Sequence, residues 1–167
     1  MEHELIRQVQ TKDYESIANI YNHYVSNTSI TFEETTVTST DIRNRVEKSR
    51  STNLPWLVME ISGSIVGYAY ATKWKERAAY RFSVESSVYI SEKHHGKGYG
   101  TLLYTELIKN LNLLEVNSVI GGITLPNLAS VALHEKLGMK KVAHFSNVGF
   151  KFSKWLDVGY WQLKLRT

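Results

Sequence analysis

Three alternating glycines, Gly96, Gly98 and Gly100, follow a histidine pair in the stretch ISEKHHGKGYGTLLYTELIKNL, residues 90–111. Glycines ahead of a helix let the backbone approach a ligand closely, and the free N–H groups of the first helical turn attract anions such as a pyrophosphate. Lys97 would add positive charge. From the residues alone two interpretations stay open: a phosphate-binding loop, or a plain connection in which the glycines serve only the turn.

The spacing of these glycines argues against the two familiar nucleotide-binding loops. A dinucleotide-binding fold needs G-x-G-x-x-G soon after the first strand, whereas here Thr101 stands in the place of the last glycine and the loop lies in mid-chain. A P-loop needs G-x-x-x-x-G-K-S/T, and the sequence contains no such run. If the loop binds a phosphate, it does so in another way.

Two adjacent histidines, His94 and His95, could suggest a metal site, but their context argues against one. Neighbouring residues of an extended chain point to opposite sides, and no His, Asp or Glu partner follows at helical i+4 spacing. The chain has no cysteine, which excludes disulfides, thiolate metal ligands and cysteine nucleophiles. We therefore predict no metal.

The composition predicts one globular domain over residues 1–167, with 43% hydrophobic and 22% charged residues. The net charge of +4 comes from Lys and Arg scattered among acids, so nucleic acid binding is not indicated. The N-terminal MEHELIRQVQ lacks the apolar core of a signal peptide, and no run reaches the length of a membrane span. These features predict a cytoplasmic protein without a membrane partner.

The pattern of polar and apolar residues predicts an α/β domain, with a mixed, mainly antiparallel sheet that carries helices on both faces. Segment 26–37, which is polar and β-branched, predicts an extended loop or a short strand. Strands are predicted over 4–10, 55–61, 65–74, 81–90, 118–125, 139–145 and 155–165. Helices are predicted over 11–25, 38–50, from near Gly98 to Leu111, and over 127–138.

The stretch HHGKGYGTLLYTELI resembles motif A of the GNAT superfamily of acyl-CoA-dependent N-acetyltransferases, whose pattern is Q/R-x-x-G-x-G/A. His95 stands in the Q/R position, with Gly98 and Gly100 in the two small-residue positions. Further segments resemble the phosphinothricin and methionine sulfoximine acetyltransferases in order along nearly the whole chain: YNHYVSNTSITFEE, PWLVMEISGSIVGYAYATKWKERAAY, VESSVYIS, LHEKLGM and GFKFSKWLDVGYWQLKL. The resemblance implies a GNAT fold and acetyl-CoA as co-substrate.

The resemblance also implies which residues bind acetyl-CoA. The glycine-loop amides would hold the pyrophosphate, and the main chain of the strand SVYI would pair with the pantetheine arm. His95 departs from the usual Gln or Arg, but this position acts mainly through its backbone. The implied cofactor residues are Val88, Tyr89, Ile90, His95, Gly96, Lys97, Gly98, Tyr99, Gly100, Asn127 and Ser130.

Three residues are implied in catalysis. Glu85 matches the proposed base that removes a proton from the amine, although a glutamate near a strand end is by itself more often solvent-facing. The N–H of Val88 would stabilise the oxyanion. His134 matches a proposed active-site histidine that donates to the departing thiolate or to the thioester carbonyl, while a structural histidine is the alternative. Asn127 could equally be the N-cap of its helix.

The loop WKERAAY supplies Lys75, Arg77 and Tyr80 for the carboxylate of an amino-acid acceptor, because guanidinium groups suit bidentate carboxylate binding. Phe32 matches a pocket aromatic of the family, and a solvated charged loop is the alternative for KWKER. The implied function is acetylation of the α-amine of phosphinothricin, methionine sulfoximine or methionine sulfone, a detoxification reaction.

Two alternatives to this function stay open. One is acetylation of another small amine or a protein N-terminus, and the other is a catalytically silent acyl-CoA-binding sensor. Members of the family are typically dimers, so a homodimer is expected, and the aromatic residues of FKFSKW would line either the acceptor pocket or the dimer interface.

Overall fold

Residues 4–166, the part of the chain that the computed structural model describes, form one seven-stranded sheet and four α-helices. In chain order these are β1 (Glu4–Gln8), α1 (Tyr14–Asn27), α2 (Ser39–Arg50), β2 (Trp56–Ile61), β3 (Ser64–Lys73), β4 (Ser83–Ile90), α3 (Tyr99–Leu113), β5 (Ser118–Leu125), α4 (Leu128–Lys136), β6 (Lys140–Lys151) and β7 (Lys154–Lys164). The strands are ordered β1-β2-β3-β4-β5-β7-β6. The predicted mixed, mainly antiparallel sheet is confirmed.

One parallel pair interrupts the otherwise antiparallel sheet, and it creates the opening in which the site lies. β4 and β5 pair only from Ser83 opposite Ser118 to Glu85 opposite Ile120. Both strands continue beyond this short ladder, β4 to Ile90 and β5 to Leu125. Their carboxyl-terminal halves are therefore not paired with each other, which leaves main-chain groups of both strands available to a ligand.

Helices cover both faces of the sheet, as the sequence predicts. On one face, α1 and α2 pack on Val58 through buried residues such as Ile17 and Val46. On the other face, α3 packs on the opposite side of β2 through residues such as Leu103, against Met59. Because β2 is buried on both sides, its sequence WLVMEI is nearly continuous in apolar residues and does not alternate.

Local signals in the sequence set several boundaries. Thr38 and Asp41 form a capping box in which each side chain bonds the other's backbone N–H, and α2 begins there. Ser62 and Gly63 both have positive φ, so the two-residue turn between β2 and β3 matches the twist of a hairpin. Gly98 is the N-cap of α3, which confirms the predicted start of that helix.

Some predicted boundaries were wrong. β1 ends at Gln8, and the first helix begins with a short 3₁₀ turn before α1. Of the two alternatives predicted for segment 26–37, an extended loop or a short strand, the structure has the loop: residues 28–38 contain no strand, and the side chain of Asn22 bonds both main-chain groups of Val37. β6 extends to Lys151, beyond the predicted end at residue 145, because a register irregularity between Phe145 and Gly149 accommodates the polar residues that interrupt its pattern.

Candidate active site

A cleft of about 440 Å³ lies along the carboxyl-terminal half of β4, between the glycine loop, the start of α3 and the first turns of α4. A smaller space of about 50 Å³ continues from it toward β5, next to Gly122. The structure brings ten of the eleven predicted cofactor residues together in the wall of the cleft: Val88, Tyr89, Ile90, His95, Gly96, Gly98, Tyr99, Gly100, Asn127 and Ser130. Lys97, the eleventh, is exposed on the loop outside this wall.

The N–H groups of β4 point alternately to one edge of the strand and to the other, and this alternation decides which amides face the cleft. Ser91 donates its N–H to the carbonyl of Val66 on β3. Since successive N–H groups of a strand point to opposite edges, those of Val88 and Ile90 point away from β3, toward the opening. The main chain of Tyr89 points to β3, where the residue is paired with Tyr68. The position of Val88 suits its predicted role as an oxyanion donor.

The glycine loop needs its glycines for backbone conformation. Gly96 and Gly98 have φ of 75° and 83°, in the left-handed region that other residues rarely adopt. A Cβ at Gly98 would meet no atom within 4 Å, so the conformation rather than lack of space selects glycine there. The loop delivers the N-terminus of the 15-residue α3 to the mouth of the cleft. First-turn N–H groups and the helix dipole make this end suited to a phosphate.

His95 uses its side chain to fasten the loop to β4. Its Nε2 lies 3.0 Å from the carbonyl oxygen of Ile90 and 2.7 Å from the hydroxyl of Tyr24. Tyr24 also donates to the same carbonyl. A histidine in this position of the motif can therefore hold the loop closed over the end of β4 and link it to α1.

Glu85 is half-buried on β4, on the face of the sheet that α1 and α2 cover. Burial raises the pKa of its carboxyl group, and the positive charge of Lys75 partly opposes that rise. Thr72 lies directly across from it on β3. Burial raises the pKa of the hydroxyl of Tyr160 on β7, and the nearby carboxylate of Glu85 adds to that rise. A carboxylate with a raised pKa is a stronger base than an ordinary one, as a proton acceptor requires.

His134 is buried on α4, on the opposite face of the sheet. Its Nδ1 lies 2.7 Å from the carbonyl oxygen of Ser130, and its Nε2 lies 3.3 Å from the hydroxyl of Tyr104. The same hydroxyl lies 2.6 Å from Oγ of Ser86 on β4. Burial lowers the pKa of His134, so its ring is neutral at physiological pH.

Asn127 is the N-cap of α4, because its side-chain oxygen accepts the N–H of Ser130 at 3.1 Å. It also lines the cleft, so the structural role suggested from the sequence is confirmed while the cofactor contact stays a prediction. Ser130 lines the cleft as well and holds His134 through its carbonyl group.

The predicted acceptor residues lie in two places. Lys75 follows β3, with its ammonium group 4.8 Å from the centre of the Trp74 ring and near enough to Glu85 to oppose the rise that burial causes in the pKa of that carboxyl group. Arg77 and Tyr80 follow in the same exposed loop. Phe32 is also partly exposed and packs on Gly149 of β6, where a Cβ would lie 2.3 Å from its ring.

A second cavity of about 440 Å³ lies on the Glu85 face, between α2 and β3. Its wall includes Tyr70 and Thr72, whose partners across the β3–β4 ladder are Ser87 and Glu85. The ring of Tyr70 stacks on Trp56 with centroids 4.1 Å apart, and Arg45 supplies positive charge. Both cavities therefore lie next to the same short segment of β4.

Several residues at the site were missed in the sequence. Ile30 lines both parts of the cleft, although it lies in the polar segment that predicts only a loop or strand. Ser86 and Tyr104 form the buried contact with His134, and no motif marks them. The signal available for Tyr104 was its hydroxyl within the apolar stripe of α3, since a buried tyrosine usually has a hydrogen-bond partner.

Within residues 4–166, no three His, Cys, Asp or Glu residues are grouped closely enough to hold a metal ion. Among the helices described there, none is both long and apolar enough to cross a membrane.

The chain is similar to proteins of known activity over nearly its whole length. Residues 6–159 match the family model described as "Acetyltransferase (GNAT) domain". The phosphinothricin N-acetyltransferase of Streptomyces viridochromogenes is 38% identical over 157 residues, covering 94% of this chain and 85% of that protein. The L-methionine sulfoximine/L-methionine sulfone acetyltransferase of Salmonella typhimurium is 36% identical over 163 residues, covering 96% and 94%.

A solved structure shows the same similarity. An acetyltransferase of Salmonella typhimurium, solved with its cofactor acetyl-CoA, superposes with a TM-score of 0.95 at 34% identity, covering 98% of this chain and 94% of that one.

Proposed function

The chain belongs to the GNAT family of acetyltransferases, and we propose that it transfers the acetyl group of acetyl-CoA to the α-amine of a small amino acid. The acceptors that the relatives indicate are phosphinothricin, methionine sulfoximine and methionine sulfone. The observation that carries the proposal is a glycine loop at a helix N-terminus together with a half-buried carboxylate beside one unpaired strand segment, because acetyl transfer from a coenzyme A thioester to an amine needs a site for the pyrophosphate and a proton acceptor.

The residues of the cleft fit acetyl-CoA. The N-terminus of α3, reached through Gly96 and Gly98, would hold the pyrophosphate, and Lys97 would approach from the exposed side of the loop. The N–H of Ile90, which points to the opening, would bond a pantetheine amide. Asn127 and Ser130 would contact the same arm from α4. Acetyl-CoA would supply an activated acyl group, and release of its thiol needs no further cofactor.

The reaction we propose uses two groups of β4. Glu85 accepts a proton from the substrate ammonium, directly or through one water molecule, so that the amine can attack the thioester carbonyl. Val88 donates its N–H to the carbonyl oxygen as negative charge develops there. The carbon–nitrogen bond forms, the carbon–sulfur bond breaks, and the coenzyme leaves as a thiolate that takes up the second proton lost by the nitrogen. The side chain of Glu85 and the amide of Val88 stand three residues apart on one rigid strand, which keeps their spacing fixed.

The acceptor would enter from the face that α1 and α2 cover, where Glu85 and the second cavity lie. Lys75, Arg77 and Tyr80 would bind its carboxylate from the loop after β3, and Phe32 would close one side. Lys75 has the strongest support among them, because its charge already acts on Glu85.

We also propose that the protein is a homodimer. The hairpin of β6 and β7 lies at the edge of the sheet, and large apolar side chains that are half or more exposed cover it: Val142, Phe145, Val148, Phe150, Phe152 and Trp155. Such a patch on a soluble domain is typical of an interaction surface. Light scattering should give twice the 19.1 kDa of the chain, and Trp155→Lys should shift the mass toward the monomer.

Thiol release from acetyl-CoA tests the function. The purified protein should release free thiol with methionine sulfoximine, methionine sulfone or phosphinothricin, and mass spectrometry should find the acetyl group on the α-amine. Turnover only with other amines or with peptides that carry a free N-terminus would support the second function considered from the sequence. Tight acetyl-CoA binding without turnover on any of these amines would instead indicate a sensor.

A further inference from the structure

Tyr104 of α3 is a buried tyrosine whose hydroxyl contacts both walls of the cleft. The residue is 0% exposed. Its oxygen lies 2.6 Å from Oγ of Ser86 on β4, 3.3 Å from Nε2 of His134 on α4 and 3.7 Å from the sulfur of Met139. The packing of α3 does not itself require a hydroxyl in this mainly apolar core cluster, between the strand and the helix that border the cleft.

The hydrogen-bond partners fix the direction of each bond. The carbonyl of Ser130 can only accept, so Nδ1 of His134 carries the proton. The ring is neutral because burial lowers the pKa of His134, which leaves a lone pair on Nε2. Tyr104 therefore donates to Nε2, and Ser86 donates to the oxygen of Tyr104. With the opposite direction, from Tyr104 to Ser86, the buried Nε2 would lose its donor.

The surroundings of His134 leave this arrangement little freedom. Its ring contacts Ser130 on its own helix, Tyr104 on α3 and the backbone of β5 at Gly121, where a Cβ would lie 2.5 Å from Nε2. Tyr104 is the titratable group among these contacts, and its own pKa is raised to about 12 by burial. It remains a neutral donor across the working pH range.

We propose that Tyr104 is a positioning residue for acetyl transfer, joining Ser86 to His134 through its hydroxyl and keeping Nε2 of His134 a hydrogen-bond acceptor. The inference rests on the proposed function and deepens it. Ser86 directly follows Glu85, at the end of the β4–β5 ladder, so the network ties β4 to α3 and α4 where pairing with β5 stops. In this network His134 is a fixed hydrogen-bond acceptor for Tyr104, and not the proton donor to the thiolate or the carbonyl that was predicted from the sequence.

The test combines kinetics with the nitrogen resonances of the histidines. Tyr104→Phe removes the hydroxyl and keeps the ring, and it should lower kcat roughly tenfold through loss of alignment, with the KM for acetyl-CoA almost unchanged. In ¹⁵N spectra, assigned with a His134→Gln variant, wild-type His134 should show a protonated Nδ1 and an acceptor Nε2. In Tyr104→Phe the ring should bind its proton at higher pH than in wild type, because a donor to Nε2 favours the neutral form.

Two further variants keep the test decisive. Tyr14→Phe removes a hydroxyl from a buried tyrosine of the opposite core cluster and should change neither readout. Ser86→Ala keeps the bond between Tyr104 and His134, so it should lower kcat while leaving the titration of His134 close to that of wild type. It replaces Tyr104→Phe in the kinetic comparison if that variant is poorly folded.

Three results would overturn the proposal. They are a wild-type His134 with its proton on Nε2, an unchanged titration in Tyr104→Phe, and a kcat within twofold of wild type in both Tyr104→Phe and Ser86→Ala. The spectra are recorded without substrate, so failure of the proposed acetyl transfer would appear in the assays alone and is distinguishable from failure of the hydrogen-bond assignment.

Discussion

The carboxylate of Glu85 and the imidazole of His134 lie on opposite faces of the sheet, each against one of two consecutive glycines of β5. A Cβ at Gly121 would lie 2.5 Å from Nε2 of His134, and one at Gly122 would lie 3.6 Å from Oε1 of Glu85. Successive residues of a strand point to opposite faces, so the glycine pair makes room on both sides at once. The two candidate groups can thus approach one segment of β4 without competing for space.

Replacing Glu85 with Gln tests the proposed base. The variant keeps the shape of the side chain but cannot accept a proton, so kcat should fall by roughly 10²-fold or more while acetyl-CoA binding stays unchanged. Thermal unfolding gives an independent readout. Burial raises the pKa of Glu85, so the folded state is penalised once the carboxyl ionises, and the variant should be more stable than wild type at neutral pH but not below the pKa of an unfolded glutamate. Unaltered turnover would remove Glu85 from the mechanism.

The charge of Lys75 should set the pH at which Glu85 becomes active. The acid limb of the kcat/KM profile should lie above the ordinary pKa of a glutamate, because burial raises the pKa of Glu85. Lys75→Gln removes the charge that opposes this rise, so the limb should move to higher pH. Lys109→Gln alters an exposed lysine of α3 that pairs with Glu106 and serves as the matched control. A limb that stays in place in Lys75→Gln would show that the titrating group is not Glu85.

Local patterns in the sequence predicted the fold, whereas most residues of the cleft were indicated by the resemblance to the GNAT superfamily. Apolar runs and turn residues predict every strand, and the glycine motif predicts the start of α3. Contacts between segments that are distant in the sequence could not be predicted. Lys151 bonds the carbonyl of Val25, 126 residues earlier in the chain, and no pattern of spacing indicates such a partner. The buried hydroxyl of Tyr104 was missed for the same reason, since helical spacing marks it as an ordinary core residue.

Arg77 was predicted to bind the acceptor carboxylate, and its exposed position makes this testable without harm to the fold. Arg77→Ala should raise the KM for the amino acid roughly tenfold or more and leave that for acetyl-CoA unchanged, since a lost charge-assisted hydrogen bond is worth about 1.5–3 kcal/mol. Arg81→Ala, in the same exposed loop with its guanidinium over Phe82, provides the control. An equal rise of both KM values would contradict a carboxylate role.

Lys151 fastens the loop that carries Ile30 to the hairpin of β6 and β7. Its buried ammonium group donates to the carbonyls of Val25 and Thr31, each at 2.8 Å. Lys151→Met should lower the free energy of unfolding by about 2–4 kcal/mol, because two carbonyls lose a charged donor. It should also raise the KM for the substrates, since Ile30 lines the cleft. Urea denaturation measures the first effect, and the exposed Lys154→Met should show neither.

Gly121 and His134 should be energetically coupled. Gly121→Ala places a methyl group 2.5 Å from Nε2 of a ring that Ser130 and Tyr104 hold in place, so the strain should cost about 1–3 kcal/mol of unfolding free energy and displace the imidazole. His134→Ala vacates that space, and the added cost of Gly121→Ala in this background should largely vanish. A double-mutant cycle from urea denaturation measures the coupling directly. The control is Gly122→Ala, whose methyl group meets the edge of Tyr160 at 3.1 Å on the other face and should show no coupling to His134. Additive effects of Gly121→Ala and His134→Ala would mean that glycine is required there for a reason other than room for the imidazole.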